Sequence, residues 1–343
     1  MKALLLEDYK KLAVQDVPEP EIGPGDVLVR VKSCGICGSD VHGFDGSSGR
    51  RIPPVIMGHE ASGVVARLGG DVTGLQEGDR VTFDSMISCG RCWFCRQGQP
   101  NLCDDRRVLG VSCKEYRRHG AFAEFVSVPS HIVFKIPDAL SFDEAAMVEP
   151  VSVAVHAVNL TRVRLGDTAV VVGAGMIGLL TIQALRQAGC GRIVSVDLED
   201  DRLALAKKLG ADHVINSRAG DVPAQIQAMT DGRGADIAME AVGVPATVEM
   251  SVESVRKGGS VTLIGNVTSK VSFPLQSVVT REVSVLGSCA SSNDYPACLE
   301  LMGRQAIQVA GMISAAVPLE QGAEMFDRLY NREPNLTKVI LNP

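Results

Sequence analysis

A glycine-rich turn between an apolar run and a helical pattern restricts the fold of this chain more than any other feature of its sequence. Residues 168–172 form a continuous apolar strand of the kind that a parallel sheet buries on both faces, and Gly173-Ala-Gly-Met-Ile-Gly178 follows it directly. Residues 178–188 then have helical spacing. Glycines at these positions permit a tight turn and close backbone contact, so the segment predicts the first strand, turn and helix of a doubly wound α/β domain.

Strands and helices continue to alternate after this unit. The pattern predicts a helix over 201–209 and strands over 192–196, 213–215, 236–240, 259–264 and 283–286. Alternation of this length predicts a doubly wound Rossmann domain over residues 153–289. The full length of 343 residues leaves room for a second domain.

The glycine-rich turn also predicts dinucleotide binding, because pyrophosphate binds at a helix N-terminus of this kind. Asp197 lies 19 residues after Gly178, where a carboxylate can accept both ribose hydroxyls. A 2′-phosphate would meet acidic residues there and no basic residue before Arg202, which favours NAD over NADP. The alternative is a glycine-rich turn with a structural aspartate. The expected cofactor-binding residues are Gly173, Gly175, Ile177, Gly178, Asp197 and Arg202.

The chain before residue 153 has a different pattern, in which short strands are separated by Gly-Asp and Pro-Gly pairs. Residues 27–32, 63–68 and 78–83 are the clearest of these strands, and together they predict a small barrel or sandwich. We assign the tail, residues 290–343, to this same domain, because the six-stranded α/β unit is complete without it. The predicted division is therefore 1–152 with 290–343, and 153–289.

Four cysteines within this first domain have zinc spacing. Cys89-x2-Cys92-x2-Cys95-x7-Cys103 can close a tetrahedron of thiolates around one ion, which predicts a structural zinc lobe over 89–103. A nucleic-acid-binding zinc ribbon is the alternative. The net charge of −6 and the lack of a basic run longer than two residues argue against nucleic acid as a partner.

The sequence also argues against a membrane or secretory protein. Its longest apolar runs are far shorter than the roughly 20 residues that span a bilayer. The first ten residues are strand-like and include Glu7 and Asp8, unlike a signal peptide. We therefore expect a soluble, cytoplasmic protein, in which clustered cysteines indicate metal rather than disulfides.

A second, dispersed ligand set comprises Cys37, the pair His59-Glu60, and Glu149. A thiolate, an imidazole and carboxylates can hold zinc and leave a position for an exchangeable water. Each residue also has an ordinary interpretation: His59 as a satisfied buried histidine, and Cys34 with Cys37 as a redox pair. Residue types and spacing alone leave these alternatives open.

The whole chain resembles the zinc-containing medium-chain alcohol dehydrogenase superfamily. The motifs that carry the resemblance occur in the order of that family: Cys34-Gly-Ile-Cys-Gly-Ser-Asp-Val-His42, Gly58-His-Glu60, the four-cysteine lobe, Met147-Val-Glu-Pro150 and the turn Gly173–Gly178. The resemblance is strongest to the polyol branch, which has Glu149 where other alcohol dehydrogenases have a cysteine zinc ligand. It implies a GroES-like catalytic domain beside the Rossmann domain, and a homodimer or homotetramer.

The resemblance also implies roles for single residues. Cys37 and His59 would be catalytic zinc ligands, while Glu60 and Glu149 compete for the remaining protein position. Ser39 would be the proton-relay hydroxyl and His42 the solvent-side end of the relay. The chain would then hold two zinc ions, one catalytic and one structural.

The expected activity is hydride transfer between NAD and a polyol, a sugar alcohol with or without phosphate, or a related secondary alcohol. L-Threonine 3-dehydrogenase and butanediol dehydrogenase activities are alternatives, as is a non-catalytic zinc- and nucleotide-binding protein. Residues 289–292 lack the arginine that many sorbitol-type members carry there, which argues against sorbitol specifically. Arg50 and Arg51 are interpreted as a solvated surface pair, with phosphate binding as the alternative.

Overall fold

The structure is a computed structural model that describes residues 1–113 and 116–343. The chain divides into two compact units. The first unit comprises Met1–Glu149, Tyr295–Gln305 and Val309–Pro343, and the second comprises Pro150–Asp294 and Ala306–Gln308.

The strands of the described residues are, in chain order, β1 (Lys2–Asp8), β2 (Lys11–Asp16), β3 (Asp26–Gly35), β4 (Val55–Ile56), β5 (Glu60–Leu68), β6 (Arg80–Phe83), β7 (Met86–Ile87), β8 (Arg107–Val108), β9 (Ser112–Cys113), β10 (Tyr116–Arg117), β11 (Phe125–Pro129), β12 (Val133–Lys135), β13 (Thr168–Val172), β14 (Arg192–Asp197), β15 (His213–Asn216), β16 (Ala235–Glu240), β17 (Val255–Leu263), β18 (Ser284–Gly287), β19 (Ala315–Pro318) and β20 (Val339–Asn342). The α-helices are α1 (Gly38–Phe44), α2 (Trp93–Arg96), α3 (Phe142–Ala146), α4 (Val148–Leu160), α5 (Met176–Gln187), α6 (Asp200–Lys208), α7 (Val222–Met229), α8 (Pro245–Ser254), α9 (Leu275–Thr280), α10 (Tyr295–Gly303) and α11 (Gly322–Tyr330).

The main sheet of the first unit has the strand order β12-β6-β5-β3-β20-β19, and β11 also pairs with β3. The long strand β3 therefore lies between β5 and the C-terminal strand β20, and both neighbours run antiparallel to it. Gly35, the last residue of β3, is opposite both Glu60 of β5 and Ile340 of β20. This register places the end of β3, the start of β5 and the start of β20 side by side.

The apolar faces of these strands form the core of the first unit. The ring of Phe326 packs against those of Phe44 and Phe122, with centroids 5.7 and 5.8 Å away. All three rings are buried, so this cluster ties helices α1 and α11 to the sheet.

The second unit contains a six-stranded parallel sheet with the order β15-β14-β13-β16-β17-β18. Its central strand β13 is made almost entirely of buried Ala and Val side chains, which is typical of a strand covered on both faces. Each strand that the sequence predicts in this region is present within a few residues of its predicted bounds. The predicted α/β fold class, with a β-rich GroES-like part and a doubly wound Rossmann part, is confirmed.

The sequence analysis did not predict the short helices of the first unit. Helix α1 has seven residues and begins directly after Cys37, whose sulfur accepts a hydrogen bond from the backbone N–H of Ser39. Asp40 completes the cap, because its carboxylate accepts the backbone N–H of Cys37 at 3.2 Å. A helix this short has no apolar periodicity to detect, and cysteine is an unusual capping residue.

Across the described part of the chain, no helix combines the length and the apolar character that a membrane span requires. The cytoplasmic location stays a prediction.

Candidate functional site

The side chains of Cys37, His59 and Glu60 meet at one end of the main sheet of the first unit. One ligand atom of each lies within 4.8 Å of the ligand atoms of the other two. The strand register explains this, because Cys37 follows the end of β3 while Glu60 opens β5 opposite Gly35. The structure thus brings Cys37 together with the adjacent pair His59 and Glu60, which follow it by more than 20 residues in the sequence.

The surroundings of His59 fit a metal ligand. The ring is 6% exposed, and its Nδ1 faces the Oδ1 atom of Asp40 at 3.5 Å, an electrostatic contact rather than a full hydrogen bond. A carboxylate at this nitrogen fixes the orientation of the ring and leaves Nε2 to bind a metal, as in the carboxylate–histidine–zinc arrangement. A thiol, an imidazole and a carboxylate are also donors that zinc accepts together. The three residues therefore fit a zinc ion.

Glu60 is held by a lysine that the sequence analysis did not identify. The Oε2 atom of Glu60 accepts a hydrogen bond from Lys338 Nζ at 2.6 Å, and Lys338 also donates to the carbonyl of Ile36 at 3.2 Å. Lys338 and Glu60 are 3% and 1% exposed. Burial alone would lower the pKa of Lys338, but the Glu60 carboxylate raises it, so the ammonium stays charged. With Oε2 on Lys338, Oε1 is the oxygen that can face a metal.

Glu149 lies at the start of helix α4 and is half-buried. Among the described residues, the group of mutually close donor atoms comprises Cys37, His59 and Glu60, without Glu149. Burial raises the pKa of Glu149 to about 7, with a lowering contribution from His59 and a raising one from Glu60. Glu149 is therefore close enough to interact electrostatically with His59 and Glu60.

The two predicted relay residues lie on helix α1. The Ser39 hydroxyl donates to Cys37 Sγ at 3.3 Å, so it is adjacent to the metal-binding residues. His42 follows three residues later, in the last turn of the same helix, and is exposed. The helix thus carries one polar side chain at the candidate metal centre and another in solvent.

Arg51 is not the solvated surface residue that the sequence analysis predicts. Its side chain is 2% exposed, and Nη2 and Nε donate to Asp40 Oδ1 at 2.7 and 3.2 Å. Asp40 is fully buried, and although burial raises the pKa of its carboxyl, the charges of His59 and Arg51 hold it well below its usual range. The prediction failed because nothing local to Arg51 indicates a buried carboxylate partner. Arg50 is exposed, as expected.

The four cysteines of the lobe form a second candidate metal centre. The sulfurs of Cys89, Cys92, Cys95 and Cys103 all lie within 4.8 Å of one another, and none of the four is in a disulfide. Tetrahedral zinc with Zn–S bonds of about 2.3 Å needs sulfurs about 3.8 Å apart. Backbone N–H groups point at three of these sulfurs, at 3.2–3.5 Å. Such hydrogen bonds lower the pKa of Cys89 to about 6, which favours the thiolate that zinc binds.

Backbone geometry explains why the turn after β13 is rich in glycine. A Cβ atom on Gly178 would lie 1.7 Å from the carbonyl oxygen of Gly173, so only glycine fits at this position in the first turn of α5. Gly173 has a φ of +99° and faces Val242, which also excludes other residues. A Cβ on Gly175 would meet no atom within 4 Å, so the space in front of the helix N-terminus is open to a ligand.

Asp197 lies at the end of β14 beside this turn. Its Oδ2 accepts the backbone N–H of Ala174 at 2.7 Å, and its Oδ1 accepts that of Leu198 at 2.8 Å. Arg202 approaches the same carboxylate at 3.9 Å, and Ile177 lies in the first turn of α5. The residues predicted to bind the cofactor therefore surround one turn of the second unit.

Comparison with known proteins identifies both parts of the chain. The model of the alcohol dehydrogenase GroES-like domain matches residues 23–138, and that of the zinc-binding dehydrogenase matches residues 177–304. Sorbitol dehydrogenase of Bacillus subtilis is 34% identical over 100% of this chain and 97% of its own. L-Idonate 5-dehydrogenase of Vitis vinifera is 37% identical over 100% of this chain and 94% of its own.

A solved structure of similar length agrees with these relatives. A zinc-binding dehydrogenase from Sinorhizobium meliloti 1021, bound to NADP, has a TM-score of 0.92 and 34% identity, and the match covers 100% of this chain and 99% of that one. The predicted enzyme class, an oxidoreductase that acts on CH–OH groups with zinc and a nicotinamide cofactor, is confirmed. The chain belongs to the zinc-containing medium-chain alcohol dehydrogenase superfamily and, within it, to the polyol dehydrogenase branch.

Proposed function

We propose that this protein oxidises a secondary hydroxyl of a polyol or sugar alcohol to a ketone, with NAD as the hydride acceptor. The observation that carries the proposal is the convergence of Cys37, His59 and Glu60 beside the Ser39 hydroxyl. Membership of the polyol branch and similarity to sorbitol and idonate dehydrogenases support the substrate class. Two further carboxylates near this centre, Glu149 and Asp40, make it more polar than a pocket for a long apolar alcohol.

We propose two zinc ions per chain. Cys37, His59 and Glu60 would hold the catalytic ion, and the four cysteines of the lobe would hold a structural ion. The Lys338 contact supports Glu60 as the direct carboxylate ligand, because Lys338 occupies only Oε2 and fixes the group in place. Glu149 would then be the exchangeable carboxylate, since it lies outside the group of mutually close donor atoms in the described part of the chain.

We propose that Ser39 takes the proton of the substrate hydroxyl and passes it toward His42. When bound, zinc would lower the pKa of that hydroxyl as a Lewis acid, and NAD would accept the hydride. Ser39 suits this role because a serine hydroxyl can accept one proton while it donates another. His42 suits the outer end because it is exposed to solvent and an imidazole has one nitrogen that can accept a proton while the other donates one.

We propose NAD rather than NADP as the cofactor, although the Sinorhizobium meliloti relative holds NADP. Asp197 would accept the ribose hydroxyls, and Arg202 is already 3.9 Å from its carboxylate. The nearby Arg218 is paired with Glu199 at 2.8 Å. A 2′-phosphate would therefore have to displace existing ion pairs beside a fixed negative charge.

We propose that residues 1–152 with 290–343 form the catalytic domain and that 153–289 form the nucleotide domain. The two compact units support this division, with limits that differ from it by a few residues. We also propose a homo-oligomer, either a dimer or a tetramer. Its support is an exposed apolar group in the second unit, in which Leu275 and Val279 of α9 are each 64% exposed and Val267 is 61% exposed.

The test is NADH formation with purified, zinc-loaded protein and a panel of substrates. The panel contains sugar alcohols, sugar-alcohol phosphates, 2,3-butanediol, L-threonine and ethanol. We expect a vicinal polyol to exceed ethanol in kcat/KM by at least about 100-fold, because a site that hydrogen-bonds neighbouring hydroxyls rejects analogues that lack them. Equal efficiency with ethanol would overturn the polyol assignment, and turnover that persists in His59→Ala would overturn the zinc mechanism.

A further inference from the structure

The buried guanidinium of Arg51 connects two parts of the candidate active centre. Its Nη2 atom donates to Asp40 Oδ1 at 2.7 Å and also to the Ser39 hydroxyl oxygen at 3.2 Å. Ser39 in turn donates to Cys37 Sγ, while Asp40 faces His59. One nitrogen thus contacts both the hydroxyl proposed as the proton relay and the carboxylate that orients a proposed zinc ligand.

Helix α1 has space for the Arg51 side chain. A Cβ atom on Gly43 of helix α1 would lie 2.1 Å from Arg51 Cγ, so that helix has a glycine where the arginine stem passes. Arg51 is 2% exposed, and no solvated surface role accounts for its position. A buried cation needs a paired anion, which Asp40 supplies, and Gly43 leaves space for its stem. The position of Arg51 is therefore specific rather than a chance contact.

We propose that Arg51 is a positioning residue for proton transfer through Ser39. A serine hydroxyl has one donor and two acceptor sites. Arg51 occupies one acceptor site, so the other acceptor site takes the substrate proton. The O–H, which donates to Cys37 Sγ in the structure, turns away from that sulfur to pass its proton on. The guanidinium also stabilises negative charge on the serine oxygen during the transfer. This proposal rests on the proposed function, in which Ser39 is the relay.

The variant Arg51→Lys separates the two contacts of the guanidinium. Lysine is one bond shorter, so its ammonium can replace the Nε contact to Asp40 but does not reach Ser39. Asp40 therefore keeps a cationic partner, and we expect the fold and the zinc content to be retained. Arg50→Lys is the matched control, because Arg50 is the exposed neighbour in the sequence, and it should leave all parameters unchanged.

The decisive experiment is a double-mutant cycle with Ser39→Ala, measured on the zinc-loaded enzyme with its best polyol substrate. We expect Ser39→Ala to lower kcat by about 100-fold and Arg51→Lys by about tenfold, with KM within twofold of the wild-type value in Arg51→Lys. We expect the solvent deuterium isotope effect on kcat to rise in Arg51→Lys. In the Ser39→Ala background, Arg51→Lys should have no further effect, because the group through which it acts is absent.

If the fold-loss of kcat in the double variant equals the product of the losses in the two single variants, the proposal is overturned and Arg51 is a structural residue. A wild-type kcat in Arg51→Lys, or an unchanged isotope effect, would also overturn it. If Ser39→Ala alone is fully active, the relay part of the proposed function fails together with this proposal; if only the cycle is multiplicative, the proposed function stands. Should Arg51→Lys not fold, the same cycle is run with Arg51→Gln, which removes the guanidinium from Ser39 and leaves the Asp40 carboxylate facing His59.

Discussion

At the scale of single residues, two buried cations neutralise carboxylates of the candidate active centre. Lys338 pairs with Glu60, and Arg51 pairs with Asp40, both at 2.6–2.7 Å. The pairs join residues 278 and 11 positions apart. Without these cations, the carboxylates around Cys37 and His59 would be buried with like charges, which is costly. The carboxylates of Glu60, a candidate metal ligand, and of Asp40, which faces His59, are thus each held by a buried cation.

Removal of Lys338 should destabilise the protein, because it leaves Glu60 buried without a cation. We expect Lys338→Met to lower the free energy of unfolding by about 3 kcal/mol, because it leaves the Glu60 carboxylate buried without its partner. The double variant E60Q/K338M should recover most of the loss. Lys2→Met is the matched control, since the Lys2–Glu320 pair is more than half exposed and its loss should have little effect on stability. Urea unfolding of the four proteins, all zinc-depleted, measures this, and a loss in Lys2→Met as large as in Lys338→Met would contradict it.

Glu149 makes the stability of the zinc-depleted protein depend on pH. Burial raises its pKa from 4.5 to about 7, so between these values the unfolded chain releases a proton that the folded chain retains. The stability of the folded state therefore falls as pH rises from about 4.5 to 7, by about 3 kcal/mol for this group. We expect Glu149→Gln to be more stable than wild type by about that amount at pH 8 and by less than about 1 kcal/mol at pH 5. A difference that is equal at both pH values would show that Glu149 is not buried as a neutral acid.

The sequence predicts the residues of these sites better than it predicts their partners. Spacing alone indicates the four lobe cysteines, whereas Cys37, His59 and Glu60 are indicated by the family motifs that they belong to. Lys338 and Arg51 belong to no motif, and only the register of β3, β5 and β20 brings Lys338 to Glu60. The Lys338–Glu60 pair spans 278 positions and the Arg51–Asp40 pair spans 11, and neither spacing is a recognised sequence pattern.

At the scale of elements, the turn between β13 and α5 combines two separable requirements. Gly178 is needed for the fold, because a Cβ there would overlap the carbonyl of Gly173 at 1.7 Å. Gly175 is not needed for the fold, because a Cβ there meets nothing within 4 Å. The open space at Gly175 lies at the N-terminus of a 12-residue helix, where pyrophosphate would bind.

Alanine at each position should therefore have different effects. We expect Gly178→Ala to lower the melting temperature by several degrees, as befits a loss of about 2–4 kcal/mol, and to abolish NADH binding. Gly175→Ala should keep the melting temperature of the wild type within about 2 °C but weaken NADH binding at least tenfold, because the methyl group occupies ligand space. Thermal unfolding and NADH fluorescence titration measure the two quantities. Equal loss of stability in both variants would refute this division of roles.

Elements are predicted well where the pattern is long and regular. The strands of the second unit could be found because parallel strands buried on both faces are rich in Val, Ile and Ala, most clearly in β13. Helix α1 could not, since seven residues capped by a cysteine have neither periodicity nor a common start signal. This short helix nevertheless carries Ser39, Asp40 and His42, so the least predictable element is one of the most important for the site.

At the scale of the whole molecule, the two units divide the chemistry between them. The candidate zinc ligands belong to Met1–Glu149, whereas the residues around the glycine-rich turn belong to Pro150–Asp294. Each unit has its own sheet and its own apolar core. A change in one ligand set should therefore leave the other ligand set intact.

His59→Ala and Asp197→Ala test this separation. We expect His59→Ala to lower kcat by at least about 1,000-fold and to lose one of two zinc ions, while the Kd for NADH stays within twofold of the wild-type value. Asp197→Ala should keep both zinc ions but weaken NADH binding about tenfold, and it should narrow the preference over NADPH because a repulsion of the 2′-phosphate is removed. Elemental analysis and fluorescence titration of the same preparations give both quantities. Loss of NADH affinity in His59→Ala equal to that in Asp197→Ala would show that the two sites are not independent, and a wild-type preference for NADPH would reject Asp197 as the residue that selects NAD.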